Sequence, residues 1–261
     1  MSEPSSVAPG QGWIDARWPA AAQVPAQLTA GCTTRAGGVS SGRYSDNNLA
    51  LHVGDDGAGV VANRRVLQAR LGARLIQWLD QVHGNDCLYI DDSATSLETP
   101  AADAMWTDQS GIALAIMTAD CVPVLLADRQ GRCVGAAHAG WQGLEQGVIA
   151  ELIGQMPVEA DELIAWIGPC ISASRYEVGE DVWARFIEDY SSAMRPHRQD
   201  RAKRLLDITE IARLQMLEQG VAYISACGLC SYDDDRFYSH RRATSVGEEV
   251  TGRMASVILL G

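Results

Sequence analysis

Apolar positions along this chain fall into runs whose period changes from segment to segment. Ile112 to Met117 is continuously apolar and bounded by Gly111, which predicts a buried strand. Val122 to Ala127 and Arg132 to Ala137 flank Asp128-Arg129-Gln130-Gly131, a four-residue turn with glycine last, and predict a hairpin. If Asp128 opposes Gly131 and the ladder runs back unbroken, Cys121 lies directly opposite His138, with Cβ atoms about 5 Å apart. A bulge would shift the pairing by one residue. Pro123 favours an edge strand or such a bulge. Trp141, Leu144, Val148 and Leu152 are spaced three and four apart, a helical stripe that starts just after His138.

The same reading extends outward. Ala30 to Cys32 closes a strand. Ala58 to Leu71 reads as a helix with Val61, Val66 and Leu67 toward one side and Gly72 as its stop. Leu75 to Leu79 is a short strand and Cys87 to Ile90 a returning one. Leu163 to Ile167 is a strand, and Asp181 to Tyr190 a helix with Val182, Phe186 and Ile187 inward. Asp207 to Glu210 resembles a capping box that opens a helix reaching Gln219. Val221 to Ser225 is a strand, Phe237 to Arg242 a loop or edge, and Arg253 to Leu260 a helix or a strand. With no repeats and no clear linker, the pattern predicts a disordered segment over residues 1–12 and one mixed α/β domain over 13–261.

Composition narrows the function classes. The chain has 261 residues, 47% of them apolar, and a net charge of −12, which disfavours nucleic acid and anionic membranes as partners. The one basic cluster, Arg195 to Arg204, contains Asp200 and reads as a solvated loop. The polar N-terminus has no signal-peptide pattern. The longest apolar stretch, Ile112 to Ala127, is interrupted by Asp120 and Pro123 and is too short to span a bilayer. A cytoplasmic protein with reduced thiols is expected. Cys227-Gly228-Leu229-Cys230 alone is a weak CxxC signal.

His83, Cys121 and His138 carry the candidate chemistry. Their separations exclude a zinc-finger spacing but suit a catalytic metal site with three protein ligands and one open position. A helix starting after His138 would lower its pKa and keep it neutral. The same residues also suit a Cys/His hydrolase, with Cys121 as nucleophile and His138 as base, or an ordinary core. Thr33 to Ser40 is a glycine-containing loop in which Arg35 could bind an anion, and Asn48 to Asp55 continues that polar region.

At this point the motifs carry a resemblance. QVHG at 81–84, TADCVP at 118–123, HAGWQG at 138–143, GPCI with YEV at 168–178, TTRAGGVS at 33–40, FYSHRR at 237–242 and TGRMAS at 251–256 resemble the YfiH family, also called laccase-domain or multicopper polyphenol oxidase proteins. The resemblance implies an α/β sandwich similar to the catalytic domain of cytotoxic necrotizing factor, and a zinc site of His83, Cys121 and His138. It implies phosphorolysis of adenosine, inosine, guanosine and methylthioadenosine, plus adenosine deamination. Purine nucleoside and phosphate are then the partners, and no obligate protein partner is inferred. Arg35 would bind phosphate or ribose, Asn48 would orient it, and Asp120 or Asp103 would carry protons. Copper oxidation of phenols and hydrolytic editing of peptidoglycan precursors are the competing family activities. Tyr238 and His240 stand where an aromatic pair is more usual. Five histidines are too few for a mononuclear and a trinuclear copper centre, whereas one zinc suits a mixed His/Cys shell.

Overall fold

The computed structural model describes residues 12–93 and 99–261. The segment expected to be disordered lies outside the described residues except for Gly12, as do residues 94–98. The first elements are β1 (Trp13–Asp15), β2 (Leu28–Thr33), α1 (Gly57–Leu71), β3 (Leu75–Gln77), β4 (Cys87–Tyr89) and β5 (Ala104–Thr107). The middle of the chain forms β6 (Ile112–Thr118), β7 (Val122–Asp128), β8 (Val134–Ala139), α2 (Trp141–Gln146), α3 (Val148–Gln155) and β9 (Leu163–Ile167). Then follow β10 (Glu177–Val178), α4 (Glu180–Trp183), β11 (Met194–Pro196), β12 (Arg204–Leu206), α5 (Ile208–Glu218), β13 (Tyr223–Ala226), α6 (His240–Ser245) and β14 (Met254–Leu260).

Two mixed sheets dominate. One has the order β1-β2-β14-β6-β3, the other β13-β9-β7-β8-β5-β4; β10, β12 and β11 make a small third sheet. Side chains alternate between the faces of each strand, so each central strand feeds two cores. Ile112, Leu114 and Ile116 of β6 meet Leu125 and Ala127 of β7 and Ile164 and Trp166 of β9 between the large sheets. Ala113, Ala115 and Met117 face the opposite way, toward Leu67 of α1. Val122, Val124 and Leu126 of β7 face outward from the sandwich, toward Leu152 of α3 and Ile211 of α5. The result is an α/β sandwich with helices on both outer faces, and it explains why β6, β7 and β8 read as unbroken apolar runs: both of their faces are buried.

Several local expectations change. Pro123 sits in a central strand, between β8 and β9. It is tolerated because it stands where the ladder to β9 gives out, and its carbonyl still accepts from Gly168 N–H. The hairpin register is two residues off the expected one: Pro123, not Cys121, pairs with His138. The turn itself forms, with Gly131 N–H donating to Asp128 O, but the ladder resumes at Cys133, whose carbonyl accepts from Asp128 N–H. The Asp128 carboxylate holds Arg132 in the loop through that residue's backbone N–H and guanidinium. The helical stripe after His138 is two helices, because Gly147 takes φ +80° between them. In α1 the buried residues are Val60, Asn63 and Leu67, while Val61 and Val66 are exposed. Cys87 to Tyr89 does not return along β3; the two strands lie in different sheets. The helix expected from Asp181 shortens to Glu180–Trp183, with Val182 and Phe186 buried and Ile187 exposed. His240 to Ser245 is a helix, and Met254 to Leu260 a strand at the centre of its sheet. The Asp207 cap is as expected, accepting from Glu210 N–H.

Asp128 yields a stability prediction. Burial opposes its ionisation, but the Arg132 hydrogen bonds win and hold its pKa below the ordinary carboxylate value. A lowered folded-state pKa stabilises the protein above the unfolded value, about 3.9, and that contribution fades as pH falls below it. Asp128→Ala should therefore cost about 2 kcal/mol at pH 7. The gap from the parent protein should close in urea titrations repeated at progressively more acidic pH; a pH-independent gap would contradict this.

Candidate metal centre

The centre is built around one buried carboxylate. Asp103, just before β5, has no solvent exposure. It accepts from the backbone N–H groups of Val82, His83 and Gly84, and it lies 2.7 Å from His138 Nδ1. His83 has φ +61°, the left-handed region that glycine favours. That conformation costs a β-carbon-bearing residue about 1–2 kcal/mol. Hydrogen bonds to a charged acceptor contribute about 1.5–3 kcal/mol each, so three of them outweigh the strain. Burial raises the Asp103 carboxyl pKa, but His138 and the backbone N–H groups of Gly84 and His83 hold it below its ordinary value. The second bend is at Asp120, at φ +105°. Its carboxylate accepts from Ser231 Oγ and Arg241 N–H, and its carbonyl from Ile171 N–H, which fixes the chain as it enters β7.

These two bends and the end of β8 bring ligand atoms of His83, Cys121 and His138 within 4.8 Å of one another. The imidazole rings of His83 and His138 meet edge to face, with centroids 4.8 Å apart. Cys121 and His138 meet diagonally across the hairpin, and Gly140 leaves the gap between the ligands open. Burial raises the Cys121 thiol pKa, but His138 and His83 pull it below the ordinary value. Burial likewise lowers the His138 pKa, yet the Cys121 thiolate and Asp103 raise it above normal. That reverses the expectation of a lowered His138 pKa: two negative neighbours outweigh a helix of only six residues. Because Asp103 takes Nδ1, His138 offers Nε2 to its partners. Two imidazoles and a thiolate suit a divalent ion of borderline softness. Among the described residues no other group of three such side chains gathers in this way.

A cavity of about 250 Å³ opens beside the triad. His52, Gln81, Thr118, His240 and Arg253 line it together with the ligands, and no carboxylate does. Gln81 is fixed by a double hydrogen bond to the Met117 backbone. The buried Thr118 hydroxyl has no hydrogen-bond partner among the described residues. Arg253 makes no ion pair among them; its guanidinium donates to the carbonyls of Thr251 and Gly252. Burial and the Arg253 charge lower the His52 pKa. Gln81, Thr118, His240 and Arg253 belong to motifs quoted above, but nothing local in the sequence singled out His52. Four of the five histidines of the chain line this cavity.

Arg35 and Asn48 stand outside the residues that line it. Arg35 donates from Nε to Ser45 O and lies over the Tyr238 ring at 4.9 Å. Asn48 is fully buried; its Oδ1 accepts from Arg253 N–H and Ala50 N–H, and its Nδ2 donates to Ala50 O and Asp55 Oδ2. It thus holds the backbone from which Arg253 reaches the cavity.

Gly140→Ala tests the crowding. Its φ of −67° suits alanine, but a Cβ would sit 3.1 Å from His83 Cδ2 and 3.2 Å from Cys121 Sγ. The variant should fold with its stability changed by no more than about 1 kcal/mol and bind metal about tenfold more weakly. Competition titration against a chromogenic chelator measures this, and unchanged affinity would show that the ligands have room to spare.

A family model described as multi-copper polyphenol oxidoreductase laccase matches residues 29–261. A protein of Pseudomonas aeruginosa named purine nucleoside phosphorylase is 40% identical over 252 residues, spanning 95% of this chain and 98% of its own. The Escherichia coli protein named purine nucleoside phosphorylase YfiH is 37% identical over 247 residues, spanning 94% and 97%. Among solved structures, a Neisseria meningitidis protein superposes with a TM-score of 0.86 at 39% identity, covering 95% of this chain and 99% of that one. YlmD from Geobacillus stearothermophilus gives 0.82 at 31% identity, covering 97% and 98%.

Proposed function

Since the chain belongs to the YfiH family, whose model carries the laccase description, we propose that it is a metal-dependent purine nucleoside phosphorylase with adenosine deaminase activity. The observation that carries this reading is the cavity itself: three metal-ligand side chains and Arg253 share one space that no carboxylate lines. Such a space suits an anionic co-substrate beside a metal. The names of relatives such as those of P. aeruginosa and E. coli support a purine nucleoside and phosphate as the substrates.

In phosphorolysis a phosphate oxygen bonds to ribose C1′, the bond from C1′ to the base nitrogen breaks, and the base leaves with the electron pair. Arg253 binds and orients the phosphate, since a guanidinium matches its oxygens in pairs. The unpartnered Thr118 hydroxyl supplies a further hydrogen bond. His52, whose pKa is lowered by burial and by Arg253, donates a ring N–H hydrogen bond to the departing base as negative charge develops on it, and the base takes its proton from water. Asn48 and Asp120 act as supports, one holding the Arg253 backbone and the other the turn before Cys121. Arg35 packs over the Tyr238 ring, outside the cavity lining. The metal is assigned as zinc, held by His83, Cys121 and His138; when bound, it supplies a Lewis acid and, for deamination at purine C6, an activated water. Copper is the weaker assignment, because one three-ligand group cannot serve a multicopper centre. A cytoplasmic location accords with seven free cysteines. Among the described residues no helix is long and apolar enough to cross a membrane.

The test is adenosine with and without phosphate, with products separated by chromatography. Adenine and ribose 1-phosphate should form only with phosphate, stop after chelation and return with zinc. No nucleoside turnover, or phenol oxidation with stoichiometric copper, would sink the reading. Arg253→Ala should raise the KM for phosphate by about 10- to 100-fold, with a smaller change in the KM for adenosine. Equal changes in both would remove Arg253 from the phosphate site.

A further inference from the structure

A second cavity, of about 680 Å³, shares no residue with the one at the triad. Its volume is within the range of small-molecule sites. Its walls come from β10, from the β11–β12 hairpin and from α6, whose Arg241 and Ser245 face it while His240 faces the triad. Most of the cluster from Arg195 to Arg204, expected as a solvated loop, is this hairpin and its turn.

The charge here opposes that of the chain as a whole. Arg175, Arg195, Arg198 and Arg241 line the cavity with His197, and Glu177 is the single carboxylate. Glu177 is already occupied: Lys203 Nζ holds one oxygen, and His197 Nε2 lies 2.8 Å from the other. Arg175 pairs with Asp233. Arg195, Arg198 and Arg241 have no ion pair among the described residues. Arg241 is fixed in place by three contacts. Its N–H donates to Asp120, its Nη1 donates to Glu177 O, and its guanidinium lies over the Tyr176 ring at 5.3 Å. Arg195 projects from a paired strand, opposite Leu205.

Gathering three guanidiniums that make no ion pair among the described residues at one concavity of a chain with net charge −12 costs mutual repulsion that dispersal over the surface would avoid. An anion with several charged oxygens relieves it, and guanidinium forks match phosphate oxygens in pairs. Tyr232, against which Arg175 stacks at 5.1 Å, adds an aromatic wall. We propose that this cavity binds a small molecule carrying two or more phosphate groups, at a site separate from the metal centre.

Calorimetric titration of the full chain with tripolyphosphate, ATP and inorganic phosphate tests this. Tripolyphosphate should bind once per chain, more tightly than phosphate and progressively less as salt rises. Equal affinity for ATP assigns recognition to the phosphate chain alone; tighter ATP binding adds contact of the organic body with Tyr232. The double variant Arg195→Ala/Arg198→Ala should lose about tenfold or more in affinity, and Cys121→Ala should lose none. Three results would overturn the proposal: no saturable binding of tripolyphosphate, undiminished binding by the double variant, or loss of binding in Arg253→Ala, which would put the anion in the triad cavity. Tighter binding of a single-stranded RNA than of either triphosphate would also overturn it, in favour of a nucleic-acid surface.

Discussion

Cys121→Ala should reduce phosphorolysis by at least about a thousandfold and abolish stoichiometric metal binding, while leaving the protein folded. Cys121 stands before the first residue of β7, is only partly buried, and contributes to no hydrophobic cluster, so its side chain adds little to packing. Its chemical part is large. It supplies the only sulfur of the triad, and its thiolate is favoured by both histidines. Loss of a residue that merely orients a ligand costs about 10- to 100-fold in metal affinity, and loss of a ligand itself costs more. Cys121→Ser separates metal chemistry from covalent chemistry. A serine hydroxyl is a poor ligand and a poor nucleophile, so both mechanisms lose activity, but only the metal mechanism responds to chelation of the parent protein. Metal analysis of the purified variant, beside assays of the parent with and without chelator, measures both. Full activity in Cys121→Ala would remove the triad from the mechanism.

Asp103→Ala should have the largest effect on stability, about 3–5 kcal/mol, with metal binding lost as well. Its carboxylate is fully buried and accepts three backbone N–H groups in addition to its contact with His138 Nδ1. Removing it leaves these groups without an acceptor, and breaking a buried pair of this kind costs that much. It also removes what compensates the left-handed backbone at His83. Asp103→Asn keeps the shape but turns an N–H₂ group toward donors. It should cost less stability and still weaken metal binding about 10- to 100-fold, because His138 loses the partner that fixes its tautomer. Thermal unfolding with and without added zinc distinguishes the two variants. A stability change below about 1 kcal/mol in Asp103→Ala would mean that the turn at residues 82–84 holds itself.

How far the sequence could be read follows from how local each signal is. Ile112 to Met117 and the two arms of the 122–139 hairpin were legible because strands buried on both faces carry apolar residues at every position. The Asp207 cap was legible because its partner is three residues away. The hairpin register was not, because the Asp128 carboxylate draws Arg132 into the loop, and no pattern of apolar positions records a side-chain bond. Val61 and Val66 misled because the buried stripe of α1 runs through Asn63, a polar residue that bonds Ser40 and the Asn48 carbonyl. The three candidate ligands were named by type and motif, whereas the role of Asp103 depends on a bond to a residue 35 positions away. Arg253 and His52 reach the same cavity from opposite parts of the chain, so the sequence shows neither as the neighbour of the other.

The place of β14 sets an order of assembly. It lies between β2 and β6, and without it that sheet falls into two separate pairs. Arg253 immediately precedes it. A ribosome adding about 5–20 residues per second takes roughly 6–23 seconds to travel from His138 to Arg253. During that interval the nascent chain already carries His83, Cys121 and His138 but lacks Arg253 and the central strand beside it. If the triad takes a metal and Arg253 a phosphate as proposed, loading of the metal is open to the chain before the phosphate site exists, and that site is complete only when the sandwich closes.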